Sequence, residues 1–437
     1  MAELLVVGGG PAGVAAAITA AGLGARVTLV ERSQVGGTHV QRGEVPAARL
    51  RYLADLLEEI GRAEELGVRV VPAIADWGRM RAAAAAAAEA AAARTRAALR
   101  AAGVEVVAAG ARFLGPGRME AGGLVFERMP VVLATGAASI VPQRSGAPRP
   151  GRRVVTGDEV MTLDQVPSRL LIAGGGRLGL EWATLFSRLG SRVTVAMAGD
   201  RLLPGEEAEM ANALRVALER RGLRFLSGRG ALERAEAELE PEVVLFADSR
   251  LPGSSGLDLE AAGVATGPSG EVTVDTRCAT STPGVFAAGD LTGPPWLWGR
   301  ARAQGRVAAT CALGGRARFR PERVPRTVHT RPELAAVGLT EEEATARGAR
   351  LGVGHGRLGP DPGEPAPGGE RGWLKLIVDT EFGEILGAHM LGCRASEAIG
   401  LVATAMELEA HYRDLVRVHP RHHDLAGLIA RAVASIR

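Results

Sequence analysis

Short apolar runs and longer stretches of helical rhythm alternate along this chain. Residues 4–7 are apolar and branched and predict a buried strand. The alanine-rich stretch 11–25 predicts a helix, and 27–30 a second strand that ends in Glu31. Residues 47–60 read as a helix. Residues 79–102 read as a long Ala/Arg helix on the surface, because alanine has the best helix propensity. Residues 104–126 hold strand-like runs broken by glycines. Residues 130–134 form an apolar strand that runs into Thr135 and Gly136, and the Pro/Gly/Arg-rich stretch 142–152 reads as a linker. The opening order then returns, with a strand at 170–173, a helix at 180–189 and a strand at 192–196. Short strands follow from Glu271, with a helix at 301–313. Past Pro321 the chain reads as a separate α+β unit in which the Gly/Pro-rich stretch 352–369 is a loop. The expected units are 1–149 with 273–319, 150–272, and 320–437.

The turn inside each repeated unit carries a chemical meaning. Gly8, Gly10 and Gly13 are spaced G-x-G-x-x-G between the first strand and helix, and Gly174, Gly176 and Gly179 repeat that spacing. The first glycine permits a tight turn, the second lets backbone approach a pyrophosphate, and the third lets helix and strand pack closely. The helix start offers unpaired N–H groups and the positive end of a dipole. Glu31 sits where a carboxylate accepts hydrogen bonds from ribose hydroxyls. Two such units imply two dinucleotides. The second unit, however, has Met197 at the position that Glu31 holds in the first. Just beyond it, Arg201 could meet a 2′-phosphate and Asp200 a hydroxyl, or both could simply face water, so NAD and NADP stay open.

Composition narrows the rest. The chain has 437 residues, enough for several domains, with 52 basic and 49 acidic residues and a net charge of +3. The basic residues are scattered, which argues against nucleic acid as a partner. No window is apolar and long enough to cross a bilayer, and the start runs straight into the first strand, so a cytoplasmic, membrane-free protein is expected. Lys375 is the only lysine. Cys278, Cys311 and Cys393 lie far apart and make neither a zinc motif nor a local redox pair.

With these pieces in order the chain resembles the flavin-dependent pyridine nucleotide–disulfide oxidoreductases, the group of dihydrolipoamide dehydrogenase, glutathione reductase and mercuric reductase. The markers are the first triplet with Glu31, Gly36-Gly37-Thr38, Ala134-Thr135-Gly136, the second triplet with Glu181, Ala287-Ala288-Gly289-Asp290, Thr330-Arg331-Pro332-Glu333 with Val337-Gly338-Leu339-Thr340-Glu341, and His419-Pro420. The resemblance implies an α/β chain with two Rossmann-like domains and a C-terminal α+β dimerisation domain in a homodimer. It implies FAD on Gly8, Gly10, Pro11, Ala12, Gly13, Glu31, Arg32, Gly37, Thr38, Thr135, Gly136 and Gly289, with Asp290 on the ribityl chain and Gly110-Ala111 at the adenine. NAD or NADP is implied on Gly174, Gly176, Gly179, Met197 and Arg201.

The family's disulfide enzymes read G-G-T-C-x-x-x-x-C-x-P where this chain has His39 and Glu44 in place of the two cysteines, and Ala48 in place of a lysine. Imidazole and carboxylate cannot carry electrons by making and breaking an S–S bond. At the far end, His419 matches the family acid–base histidine, and Asp424 stands where an orienting glutamate belongs. The resemblance puts Glu181 near the junction of the two cofactors, although a helix-start carboxylate is the plainer reading. His39, Glu44 and His419 suit zinc or iron by type, but chance loss of two cysteines would leave the same residues, and no metal is assigned. The expected function is an NAD(P)H oxidoreductase that passes electrons through FAD directly to a small non-disulfide acceptor such as a quinone, with His39, Glu44 or His419 as proton donor. The alternative is a binding or redox-sensing flavoprotein with little turnover.

Overall fold

A computed structural model describes residues 2–71, 73–142, 152–358, 372–417 and 425–436. Three five-stranded sheets carry the architecture. The first is parallel, in the spatial order Val285–Ala287, Val131–Leu133, Glu3–Val7, Arg26–Val30, Glu105–Val107. The second is also parallel, in the order Arg224–Ser227, Arg192–Met197, Arg169–Ala173, Val243–Phe246, Arg153–Thr156. The third is antiparallel and spans residues 326–392. Central strands of both parallel sheets are covered on both faces, which explains their unbroken apolar runs: Leu4, Leu5 and Val6, like Leu170, Leu171 and Ile172, are buried.

The two repeated units agree residue for residue. Val7 pairs with Val30 as Ala173 pairs with Ala196, so Glu31 and Met197 follow equivalent strand ends. The helices that follow the turns are Pro11–Gly22 and Arg177–Arg188, and both start from an extended glycine, Gly10 (φ −76°) and Gly176 (φ −83°).

Two sequence expectations change. The helix Trp77–Ala101 is capped by Asp76, whose carboxylate accepts from the Arg79 N–H at 3.0 Å, but it is not merely a surface helix. Trp77, Met80, Ala84, Ala88, Ala92 and Leu99 form one buried stripe, and Trp77, Met80 and Ala84 share a core with the helix Glu44–Arg62. An alanine run gave no apolar period to read.

The second change concerns the glycine-rich stretch near 352. Leu351–Leu358 is a strand, paired along its length with Gly372–Asp379; the linker residues 143–151 and the remainder of the proposed loop, 359–369, lie outside the described residues. Gly352, Gly354 and Gly356 share one face of that strand, and the C-terminal helix Leu425–Ala434 lies flat against it. A Cβ on Gly354 would sit 2.0 Å from the Ala432 carbonyl oxygen, and one on Gly356 2.2 Å from that of Leu428. Gly354→Val is therefore expected to lift the terminal helix off the sheet. Amide exchange over 425–434 would rise toward that of an unprotected segment, and unchanged protection there would contradict the packing.

Lys375 is buried where the third sheet meets the second unit, with its ammonium 2.8 Å from Glu207, 2.5 Å from Glu341 and 3.7 Å from Glu209. No helix among the described residues is long and apolar enough to cross a membrane.

Candidate functional site

The first glycine turn opens into a cavity of about 860 Å³. Gly8 has φ +106°, and a Cβ there would lie 2.3 Å from the Ala134 carbonyl oxygen. A Cβ on Gly13 would lie 1.8 Å from the Gly8 carbonyl oxygen, so only glycine lets the helix start this close to the turn. At Gly10 no described atom lies within 4 Å of where a Cβ would be, and the turn faces open space. Glu31 accepts from the Gly9 N–H at 2.6 Å and the Ser33 N–H at 2.7 Å, which fixes its carboxylate on the cavity wall.

Gly8, Gly10, Pro11, Ala12, Glu31, Arg32, Gly37, Thr38, Gly110, Ala111, Thr135, Gly136, Gly289 and Asp290 all line this one cavity. They come from the first turn, the following strand end, the small β-meander at 111–127 and the end of the strand Val285–Ala287. Burial pushes the Asp290 carboxyl above the usual range, against the pull of the Arg250 guanidinium, whose Nη2 is 3.9 Å away, and of Arg300 and Arg177. A dinucleotide such as FAD fits here. The turn is clear at Gly10, it lies on the cavity wall at the start of a helix, and an acid stands at the ribose position.

His39 and Glu44 reach the same cavity from adjacent elements, the short helix Gly37–Gln41 and the first turn of Glu44–Arg62. The His39 ring stacks on Trp298 at 5.7 Å between centroids, and the Arg302 guanidinium lies 4.6 Å from the Trp298 ring centroid. Burial, with Arg177 and Arg302 adding positive charge, lowers the His39 imidazole to about 4, so it is neutral at physiological pH.

Glu44 pairs with Arg51, two turns along its own helix. Arg51 also reaches Glu181 at 3.8 Å, and Arg177 donates to Glu181 at 3.2 Å. Burial alone would raise the Glu181 carboxyl, but Arg177, Arg51 and His329 hold it below the usual range. Arg51, about one helical turn beyond Ala48, thus adds to Arg177 a second positive charge beside Glu181.

His329 is the residue that sequence reasoning missed. Its Nδ1 is 3.0 Å from Glu333 Oε1, its Nε2 is 3.7 Å from Glu44, and its backbone N–H donates to Glu181 at 3.2 Å. Glu333 is anchored in turn by the Ser396 N–H at 2.9 Å and hydroxyl at 3.0 Å. Burial lowers the His329 pKa, as does Arg51, but the Glu333 hydrogen bond and the charges of Glu181 and Glu44 outweigh both and the net shift is upward. An imidazole oriented by a carboxylate, its pKa held above the usual histidine value, faces the cavity from beside the Thr330-Arg331-Pro332-Glu333 marker. His419 and Asp424 lie outside the described residues.

The second turn repeats the backbone of the first, with Gly174 at φ +122° and Gly176 extended, and Met197 is buried against Gly175. Arg201 donates to the carbonyl of Glu206 in its own loop, and Asp200 is exposed. Cys278 and Cys311 are both buried, and burial pushes the Cys278 thiol up to about 12, so it is inert as a thiolate. Among the described residues no group of His, Cys, Asp and Glu is arranged to hold a metal ion.

The sequence matches the family model for pyridine nucleotide-disulphide oxidoreductase over residues 2–305 and that for the same family's dimerisation domain over 324–427. The chain belongs to this family. Its relatives include a dihydrolipoyl dehydrogenase of Thermus scotoductus, 34% identical over 99% of this chain and 97% of its own, and dihydrolipoyl dehydrogenase 2 of Haloarcula marismortui, 32% identical over 100% and 96%. Among solved structures, LpdA from Mycobacterium tuberculosis superposes with a TM-score of 0.87 at 29% identity, and the HOCl-induced flavoprotein disulfide reductase RclA from Escherichia coli, as its Cu(II) complex, with 0.83 at 25%; each covers 99% of both chains. The family consists of flavoprotein oxidoreductases that use FAD and NAD(H). Its fold, two nucleotide-binding units and a dimerisation domain, is the one described above. At the two positions where the resemblance implies cysteines, this chain carries the stacked His39 and the ion-paired Glu44.

Proposed function

We propose that this protein is an FAD-dependent NAD(P)H oxidoreductase, working as a homodimer, whose electrons leave directly to a small non-disulfide acceptor such as a quinone. The observation that carries the reading is the cavity wall at His39 and Glu44: a neutral imidazole stacked on Trp298, the His329 imidazole with its raised pKa 3.7 Å from Glu44, and no sulfur at either position. Bound FAD supplies the two-electron transfer that this chemistry needs. The chain's own residues do the rest. The first turn and Glu31 hold the dinucleotide. The flat face of Trp298 and His39 suits a planar ring. His329 delivers a proton to a reduced oxygen and is recharged from solvent, its orientation fixed by Glu333. Quinone reduction takes two electrons and two protons; one proton would arrive with the hydride, and His329 is placed to give the other, a role that neutral His39 does not fill.

The acceptor is tested on dithionite-reduced holoenzyme, free of oxygen. A quinone is expected to reoxidise the flavin, lipoamide is expected to leave it reduced, and no thiolate–flavin charge-transfer band is expected during reduction. Turnover of lipoamide with quinones ignored would overturn the proposal. A second reading, a flavoprotein with little turnover that acts as a binding or redox-sensing subunit, is favoured by Met197 at the position of Glu31. Fast bleaching of the flavin by NADH or NADPH would count against it.

A further inference from the structure

The two glycine turns share a backbone but not their contents. At Gly10 the turn is open, whereas a Cβ on Gly176 would lie 2.7 Å from Cγ of Asp248. Asp248 follows the strand Val243–Phe246, the neighbour of the strand that leads into the second turn. Its Oδ2 accepts from the Gly176 N–H at 2.9 Å and its Oδ1 from the Gly179 N–H at 3.3 Å, and the Leu178 N–H adds a third bond. These are the helix-start donors that a pyrophosphate would otherwise use. Above them, Met197 and Leu202 crowd Gly175, and Leu203 N–H donates to the Gly175 carbonyl at 3.1 Å. A pyrophosphate does not fit beside Asp248. It would have to share its donors with the Asp248 carboxyl group, which burial pushes above the usual range against the pull of those same N–H groups and Arg177.

The geometry points to Asp248 as a specificity-determining residue, an internal carboxylate that ligates the second glycine turn and keeps its affinity for NADH and NADPH low. A dinucleotide binds there only by displacing the Asp248 side chain from Gly176 and Gly179. Both the donor set and the missing ribose acid at Met197 act in the same direction, because each removes a contact the first unit retains. The inference rests on NAD(P)H as the electron donor of the function proposed above, whose binding it makes weak, and is independent of the acceptor.

The test uses holoenzyme, with NADH and NADPH as probes, read by titration calorimetry and by quenching of flavin fluorescence. Asp248→Ala is expected to bind either nucleotide about 10- to 100-fold more tightly than the wild type, the range set by losing a competitor for charge-assisted hydrogen bonds. Asp248→Asn removes the ionisable group at nearly constant size and is expected to tighten binding by a smaller factor. It decides the matter if the alanine variant does not fold. Wild-type binding as tight as that of both variants, or weaker binding in the variants, would overturn the inference. Reoxidation of dithionite-reduced wild type by quinone is measured separately; a failure there would sink the acceptor reading and leave this one standing.

Discussion

Gly13→Val is expected to yield protein that is colourless as purified and stays so when FAD is added. The valine Cβ would be driven to 1.8 Å from the Gly8 carbonyl oxygen, a contact no rotamer relieves, since it involves backbone on both sides. Either the helix Pro11–Gly22 moves off the strand Glu3–Val7 or the turn unwinds, and each displaces the helix start that lines the cavity. Overpacking of this kind costs about 1–3 kcal/mol or more, and here it falls on the cradle itself. The measurement is the absorbance ratio of flavin to protein after incubation with FAD. The equivalent change in the second unit, Gly179→Val, would not remove the flavin. A yellow Gly13→Val protein with full flavin content would mean that the cavity is not where the cofactor sits.

The second large effect is expected at His329. His329→Gln should slow quinone reoxidation of the reduced enzyme by about 10²- to 10⁴-fold, the usual contribution of a positioned general acid. The pH profile distinguishes this from a structural loss. The His329 pKa is raised, so the donor is charged below that shifted value and loses its proton above it, and the wild-type rate is expected to fall as pH rises through it. The variant should show no such fall. His39, at about 4, contributes no titration between pH 5 and pH 8, so His39→Gln should leave the profile's shape unchanged. A wild-type rate that is flat in pH, with His329→Gln equally fast, would remove His329 from the mechanism.

Much of this architecture could be read from local pattern. The glycine triplets, the strand ends and the offset that places Met197 opposite Glu31 all follow from spacing within a single unit, and the strand register bears them out. The residues that escaped notice depend on distant parts of the chain meeting. His329 comes from the edge of the third sheet, Glu44 from an early helix and Glu181 from the second unit, and no local period links them. Asp248 was overlooked for a related reason. It follows an apolar strand, where a polar residue reads as the start of a loop. A carboxylate beside a phosphate-binding turn is informative only once the neighbouring strand is known. The glycines at 352, 354 and 356 were misread because glycine usually signals a turn. Their spacing of two was the available clue, and it belongs to a strand face cleared for a helix.

The setting of Lys375 also decides how this protein can be handled at the bench. It is the chain's only lysine, and its ammonium is enclosed by three carboxylates between two packed units. Acylating reagents and amine cross-linkers therefore find no side-chain target on the native molecule. Reaction at Lys375 would itself report that the third sheet has come away from its neighbour, which makes the residue a built-in sensor of unfolding.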